Sequence, residues 1–386
     1  MLFIPHKHLY ISGTSYVSAD EPDYKEVITD ANSRRRMGRL LKMAVWCGLK
    51  SLDGVPSEMV AGIITSTGAG FMKDTISFGS SIFDREETLL NPSPFMQSTF
   101  NTASGYIALI RKIHAYNTTY VQQADGFAAS LVDAAMLLDD AAEGDVALVG
   151  AFDEVTPEVD VIRQRLGLYR VGDGFLPLGE GAAAFLLSAA MPTDISESCR
   201  ATEMSAGLGG DAGSESDSGQ SGDEAGYESA SEHGGESGSE SSSEPLRESE
   251  SASERGCDEA GSESASERGG DEAGSESSSE PLHEYGGTSS RSLNCTKDGN
   301  AAFRFCGLAN LSDLPKCAEN PIAELFGINA CVNVISCADH VESLGAFRSL
   351  LPVLLCKLIS EQKIPDSYTA IVDDVNEDGV IVLLHK

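Results

Sequence analysis

Residues 117–140 read NTTYVQQADGFAASLVDAAMLLDD, and the order of residue types in them decides the fold. The run from Asn117 to Val121 is rich in β-branched and aromatic residues and predicts a short strand. From Gly126 onward Leu131, Ala134, Ala135 and Leu138 recur at helical spacing and predict one apolar helix face. A strand that turns sharply into a helix is the outline of an element presenting a nucleophile at a helix N-terminus. The turn itself reads Gln122-Gln123-Ala124-Asp125, and no cysteine occurs between Cys47 and Cys199.

Working outward, the neighbouring segments repeat the strand-then-helix rhythm. VAGIITS (60–66) and GDVALVGAFDEVTP (144–157) are near-continuous apolar runs with polar exits, as in strands buried on both faces. LPLGEGAAAFLLSAA (176–190) reads as a turn feeding another such strand. SRRRMGRLLKMAVWCGL (33–49) reads as one basic amphipathic helix after a polar loop. NPSPFMQSTF (91–100) reads as a loop, broken by Pro92 and Pro94, that leads into a helix around 105–116. Near the C-terminus, NPIAELFG predicts a short helix started near Asn320 and INACVNVIS a buried strand. ESLGAFRSLLPVLLCKLISEQ predicts a helix kinked at Pro352. YTAIVDDV and GVIVLLHK predict an antiparallel pair. Strands alternating with helices define an α/β fold with a largely parallel sheet.

The chain has 386 residues and a net charge of −33. Between 203 and 290 there are 23 acidic residues against 3 arginines and no lysine, a local balance of −20, so only −13 belongs to the rest. This region repeats itself, with SSSEPL at Ser241 and Ser277 and DEAGSES at Asp258 and Asp271. Its units carry too few apolar residues to offset the entropy of ordering, which predicts disorder. The chain therefore divides into an N-terminal part (1–195), a disordered acidic insertion (196–293) and a shorter C-terminal part (294–386). An acidic chain repels phosphate backbones, which argues against nucleic acid. Nine cysteines without regular spacing argue against a disulfide framework. No apolar run is long enough to span a bilayer, and the expected compartment is the cytoplasm.

Four segments in order, SPFMQSTFNTASGYIAL (93–109), TYVQQADGFAASLVDAAMLL (119–138), GDVALVGAFDEVTP (144–157) and LGEGAAAFLL (178–187), together resemble the β-ketoacyl synthases. The C-terminal ENPIAELFG and ESLGA resemble that family more faintly. RRM (35–37), LLNPSPFMQST (89–99) and YNTTY (116–120) are similar to stretches of the short synthase-like and chain-length-factor-like proteins of aryl-polyene and flexirubin type pathways. The resemblance implies a thiolase-like fold, layered αβαβα with mostly parallel sheets, whose C-terminal half is reduced here. It implies acyl-thioester chemistry without a metal or other cofactor.

In the family a cysteine at a helix N-terminus attacks the thioester, its thiolate favoured by the helix dipole. Two histidines stabilise the enolate formed on decarboxylation. The family's cysteine position falls on Ala124, and a methyl group cannot attack a thioester. Its histidine positions fall near Cys306 and Glu342, with His340 two residues from the second. Gln122 and Gln123 admit two readings: stand-ins for the cysteine, as in some relatives, or strand-end amides without chemistry.

The resemblance implies a degenerate subunit that pairs with an active ketosynthase, as a hetero- or homodimer. Phe95, Met96, Phe100, Tyr106 and Phe127 are then tunnel or interface contacts. Arg34, Arg35, Arg36, Arg39 and Lys42 read either as a docking face for an acidic acyl carrier protein or as a solvated helix face. Two competing functions stay open: an acyltransferase using Cys306 beside His340, and a scaffold acting through the acidic insertion. Weaker signals have structural readings. Thr67-Gly68-Ala69-Gly70 lacks the third glycine of a dinucleotide loop and reads as a sharp turn. Cys331, Cys337 and His340 match no standard metal spacing. Asp153 and Glu154, at a strand end, read as capping or pairing groups, and Glu180 as a carboxylate held by backbone donors.

Overall fold

The computed structural model describes residues 1–122, 125–191, 302–376 and 379–386, all within one unit of the chain. Gln123, Ala124 and the acidic segment 196–293 lie outside the described residues. The strands are β1 (Leu2–Phe3), β2 (Leu9–Val17), β3 (Val60–Ser66), β4 (Tyr116–Tyr120), β5 (Val146–Asp153), β6 (Arg170–Val171), β7 (Gly174–Phe175), β8 (Gly181–Ser188), β9 (Phe303–Asn310), β10 (Val332–Ser336), β11 (Tyr368–Val372) and β12 (Val380–His385). The helices are α1 (Ala31–Arg36), α2 (Arg39–Ser51), α3 (Met72–Asp84), α4 (Pro92–Gln97), α5 (Thr102–Arg111), α6 (Asp125–Asp140), α7 (Pro157–Leu166), α8 (Pro321–Leu325), α9 (Val341–Leu344) and α10 (Leu350–Ser360).

One mixed sheet runs β4-β3-β5-β8-β2-β9-β12-β11-β10, with β1 added beside β9. The parallel pairs are β4–β3, β3–β5 and β10–β11, at the two flanks, while every pair through the centre is antiparallel. The order carries an internal symmetry. Outward from the β2–β9 seam, the first half places its first, fifth, fourth, second and third strands. The second half places its first, fourth, third and second. It repeats the pattern short of one strand, and the outermost place held by β4 has no counterpart among the described residues. Among the described residues the C-terminal half is thus one strand shorter than the N-terminal half.

Period-two alternation sends successive side chains to opposite helix layers. Ile64, Ala147, Val149, Ala183 and Phe185 pack with α6 and α10, whereas Ile63, Leu148, Phe152, Ala184 and Leu186 pack with α2 and α5. The α6–α10 layer also takes Leu308, Ile371, Val382 and Leu384 from the second half. On the far side, Ala309, Ala370, Ile381 and Leu383 meet Ile322 and Phe326 around α8. The layers therefore read α2/α5, first-half strands, α6/α10, second-half strands, α8, which is the αβαβα arrangement. The expected stripe of α6 is fully inside, with Leu131, Ala134, Ala135 and Leu138 all buried.

Four local readings are corrected. The basic segment is two helices, because Met37 and Gly38 leave the helical region and the Gly38 N–H donates to Gln97 Oε1 at 2.7 Å. Residues 92–97 are helical despite two prolines. Pro92 sits in the first turn, where its missing N–H goes unused, and Asn91 caps that turn through Ser93 N. The predicted kink at Pro352 is absent: Gly345, at φ +77°, ends α9, and Pro352 lies in the first turn of α10. β10 is a half-exposed edge strand rather than a buried one, with Val334 58% exposed.

Candidate functional site

β3 and β5 are parallel neighbours, so their carboxyl ends open at one edge of the sheet, where sites in α/β folds gather. β3 runs into Thr67-Gly68-Ala69-Gly70 and β5 ends at Asp153, which is buried. Asp153 Oδ1 accepts from Gly68 N at 2.8 Å, Ala69 N at 3.2 Å and Thr67 Oγ1 at 3.1 Å. Its Oδ2 accepts from Ser349 Oγ at 2.5 Å. Burial pushes the Asp153 carboxyl above its ordinary range, against the pull of these donors. The glycine loop is therefore closed around a carboxylate of the same chain. Gly70, at φ +67°, lies where an added Cβ would strike the Phe100 ring at 2.4 Å.

Glu154 caps α3, its Oε1 accepting from Lys73 N at 3.1 Å, and burial pushes its carboxyl up. Glu180 Oε2 accepts from Val155 N at 3.1 Å while its Oε1 pairs with Arg39, which also holds Glu21. The turn at Glu180 is stitched to the ESLGA segment: Ala346 N donates to Pro177 O at 2.7 Å and Gly179 N to Ala346 O at 3.2 Å. A Cβ on Gly179 would sit 1.9 Å from Leu344 O. Two motifs read separately in the sequence thus form one wall. Together with α7 they enclose a crevice of about 200 Å³, lined by Met72, Val159, Ile162, Leu168, Tyr169 and Phe347. Arg348 lies against the Tyr169 ring, 5.8 Å from its centre, and Tyr169 Oη and Arg348 share Asn376 Oδ1.

The residues singled out in the sequence are dispersed. Gln122 is exposed at the end of β4, and its carbonyl accepts from Gly126 N at 2.6 Å. Cys306 is the extra residue of a β-bulge in β9, its Sγ 3.6 Å from Arg304 O, and burial pushes its thiol up, away from thiolate. His340 closes a short turn after β10, and burial pushes its imidazole down. β12 and β11 lie between β9 and β10, so three strand spacings, about 14 Å, separate the Cys306 strand from the strand preceding His340. Glu342 is exposed on α9. Among the described residues no group of three or more His, Cys, Asp or Glu is placed to hold a metal.

The basic cluster is largely engaged. Arg34 donates to the carbonyls of Ile28 and Thr29, Arg35 to Asn32 Oδ1, and Arg39 bridges Glu21 and Glu180. Arg36 is exposed and Lys42 half-buried. Of the aromatic set, Phe127 is buried against Phe185 and Tyr106 packs on the α2/α5 core. Phe95, Met96 and Phe100 are 54%, 61% and 44% exposed. β4 is the outer strand of its flank, and Phe100 and Val121 line an open groove along it with Thr119. Sequence reasoning missed Gln97, Tyr169, Arg348, Ser349 and Asn376, whose partners are remote in the chain.

With this geometry in view, residues 14–170 match the family described as "Beta-ketoacyl synthase, N-terminal domain". The resemblance carried by the four motifs is borne out. No curated protein matches the chain. Among solved structures, "The ishigamide ketosynthase/chain length factor" is 13% identical, with a TM-score of 0.53, covering 98% of this chain and 99% of that one. A type II polyketide ketosynthase in complex with its acyl-carrier protein is 12% identical, with a TM-score of 0.52 and the same coverage. The ketosynthase ApeO in complex with its chain length factor ApeC, from Xenorhabdus doucetiae, is 16% identical, with a TM-score of 0.36, over 47% of this chain and 79% of that one. The first two likenesses establish the thiolase-like fold. Among the described residues no helix is long and apolar enough to cross a membrane.

Proposed function

We propose that the chain is a catalytically degenerate, chain-length-factor-like subunit that pairs with an active ketosynthase in acyl-chain elongation of the polyene, polyketide or fatty-acid type. The observation that carries this reading is the open flank at β4. An edge strand leaves one row of backbone donors and acceptors without a neighbouring strand. Tyr116 on the strand and Phe100 and Val121 in the groove along it are exposed, as are Phe95, Met96 and Leu109 on the preceding helices. Exposed apolar groups grouped next to an open strand edge mark an association surface. Ala124 at the nucleophile position supports the degenerate reading, and so does the position of Cys306, a thiol pushed away from thiolate and separated by two strands from the strand before His340. Arg36 and Lys42 are the cations left to meet an acidic acyl carrier protein.

The test is co-expression with candidate ketosynthases, followed by condensation assays on each chain alone and on the purified pair. Condensation by the pair, with a product length that changes when Phe100 is replaced, supports the reading. Condensation by this chain alone overturns it.

A further inference from the structure

A second cavity of about 460 Å³ shares no lining residue with the Asp153 crevice. Its walls come from the N-terminal segment before β2, the start of β9, the loop after α8 and the start of β11, and include Lys7, His8, Arg304, Cys306, Phe326 and Tyr368. Lys7 Nζ donates to the carbonyls of Leu138 at 2.9 Å and Asp139 at 2.6 Å, at the C-terminal end of α6 where a cation is favoured. His6 pairs with Asp139. These contacts pin the wall and leave the Arg304 guanidinium and the His8 imidazole among the groups lining the space.

Arg304 differs in its partners from Arg39 and Arg163. Arg39 and Arg163 are each paired with a carboxylate. Among the described residues Arg304 has none: its guanidinium reaches His8 Nδ1 and Tyr368 Oη, both at 3.5 Å, the outer limit of a hydrogen bond. A guanidinium has five donors in a planar fork that matches two oxygens of one anion. A guanidinium that lines a cavity and meets no carboxylate among the described residues offers its fork to an external anion. The volume exceeds one inorganic ion and falls in the range of small-ligand pockets. Phe326 and Leu383 supply an apolar floor and Tyr368 a polar tip.

We propose that this cavity binds a small organic phosphate, its phosphate held between Arg304 and His8 and its apolar body against Phe326. A phosphate offers more oxygens than a carboxylate to accept from the guanidinium fork, an imidazole N–H and the Tyr368 hydroxyl together. This site is independent of the pairing reading, since neither β4 nor the Asp153 crevice contributes to it.

The experiment is calorimetric titration of the full chain with phenyl phosphate, benzoate and inorganic phosphate. Phenyl phosphate binds with a Kd below about 1 mM, and benzoate and inorganic phosphate bind more weakly. Arg304→Gln weakens phenyl phosphate at least about tenfold, the loss of a charge-assisted hydrogen-bond pair. His8→Gln, at an exposed rim position, weakens it about threefold and serves as the test if circular dichroism shows that the arginine variant misfolds. Absence of saturable binding, benzoate binding equal to phenyl phosphate, or binding that survives both substitutions overturns the assignment.

Discussion

Ser349 Oγ donates to Asp153 Oδ2 at 2.5 Å across 196 residues of sequence, and this contact joins the segment leading into α10 to the end of β5. Asp153 also holds three donors of the loop after β3. One buried carboxylate thus fixes the meeting of the first and second halves at the crevice. It organises the crevice as a polar strut.

Removing that strut leaves several buried donors without an acceptor. Asp153→Ala is expected to lower unfolding free energy by about 3 kcal/mol, and Ser349→Ala by about 1 kcal/mol. Urea denaturation of both variants and the double variant measures this, and the double variant is expected to lose less than the sum because the two share one bond.

The same carboxyl carries a pH signature. Its folded pKa is raised by burial above the ordinary aspartate value near 3.9. The folded state then binds more protons than the unfolded state across that window. Its contribution is fully present below the unfolded pKa and is lost as pH rises through the folded one. Asp153→Asn is expected to flatten this decline, read as the difference in stability between variant and parent from pH 3.5 upward.

Gly179 lies against the backbone of α9 with no room for a side chain, an added Cβ meeting Leu344 O at 1.9 Å. Gly179→Ala is expected to push the two segments apart and destabilise the protein by about 3 kcal/mol or more. Gly105 is exposed with open space beside it. Gly105→Ala in α5 is expected to stabilise by about 0.5–1 kcal/mol. Thermal unfolding of the pair separates packing from propensity.

The basic residues divide by what they touch. Arg39→Gln removes an ion pair with Glu180 and one with Glu21, both partly exposed, and is expected to cost up to about 1 kcal/mol. Arg36→Glu and Lys42→Glu are expected to leave stability within about 0.5 kcal/mol. They are expected to weaken acyl-carrier-protein binding in a salt-dependent manner, measured by titration at two ionic strengths.

How much of this was legible depends on how local the cause is. VAGIITS and GDVALVGAFD are strands because continuous apolar runs have only one comfortable place, between two helix layers. The α6 stripe was legible for the same reason. The break at Met37-Gly38 was not, because the group that holds it, Gln97, lies 59 residues away. INACVNVIS looks internal by composition, yet among the described residues no strand lies beyond it and its side chains are half-exposed. Asp153 was read as a capping group, and three of its donors, Thr67, Gly68 and Ala69, lie 84–86 residues earlier in the chain. Its fourth, Ser349, belongs to a polar-apolar run that carries no signal of where it folds. The family's nucleophile position, read as Ala124, lies outside the described residues.

Intact-protein mass spectrometry after incubation with an acyl thioester tests the central claim most directly. The isolated chain is expected to show no covalent acyl adduct on the timescale of condensation, while a catalytic ketosynthase partner in the same tube acquires one. A stoichiometric adduct on this chain, abolished by Cys306→Ala, contradicts the account.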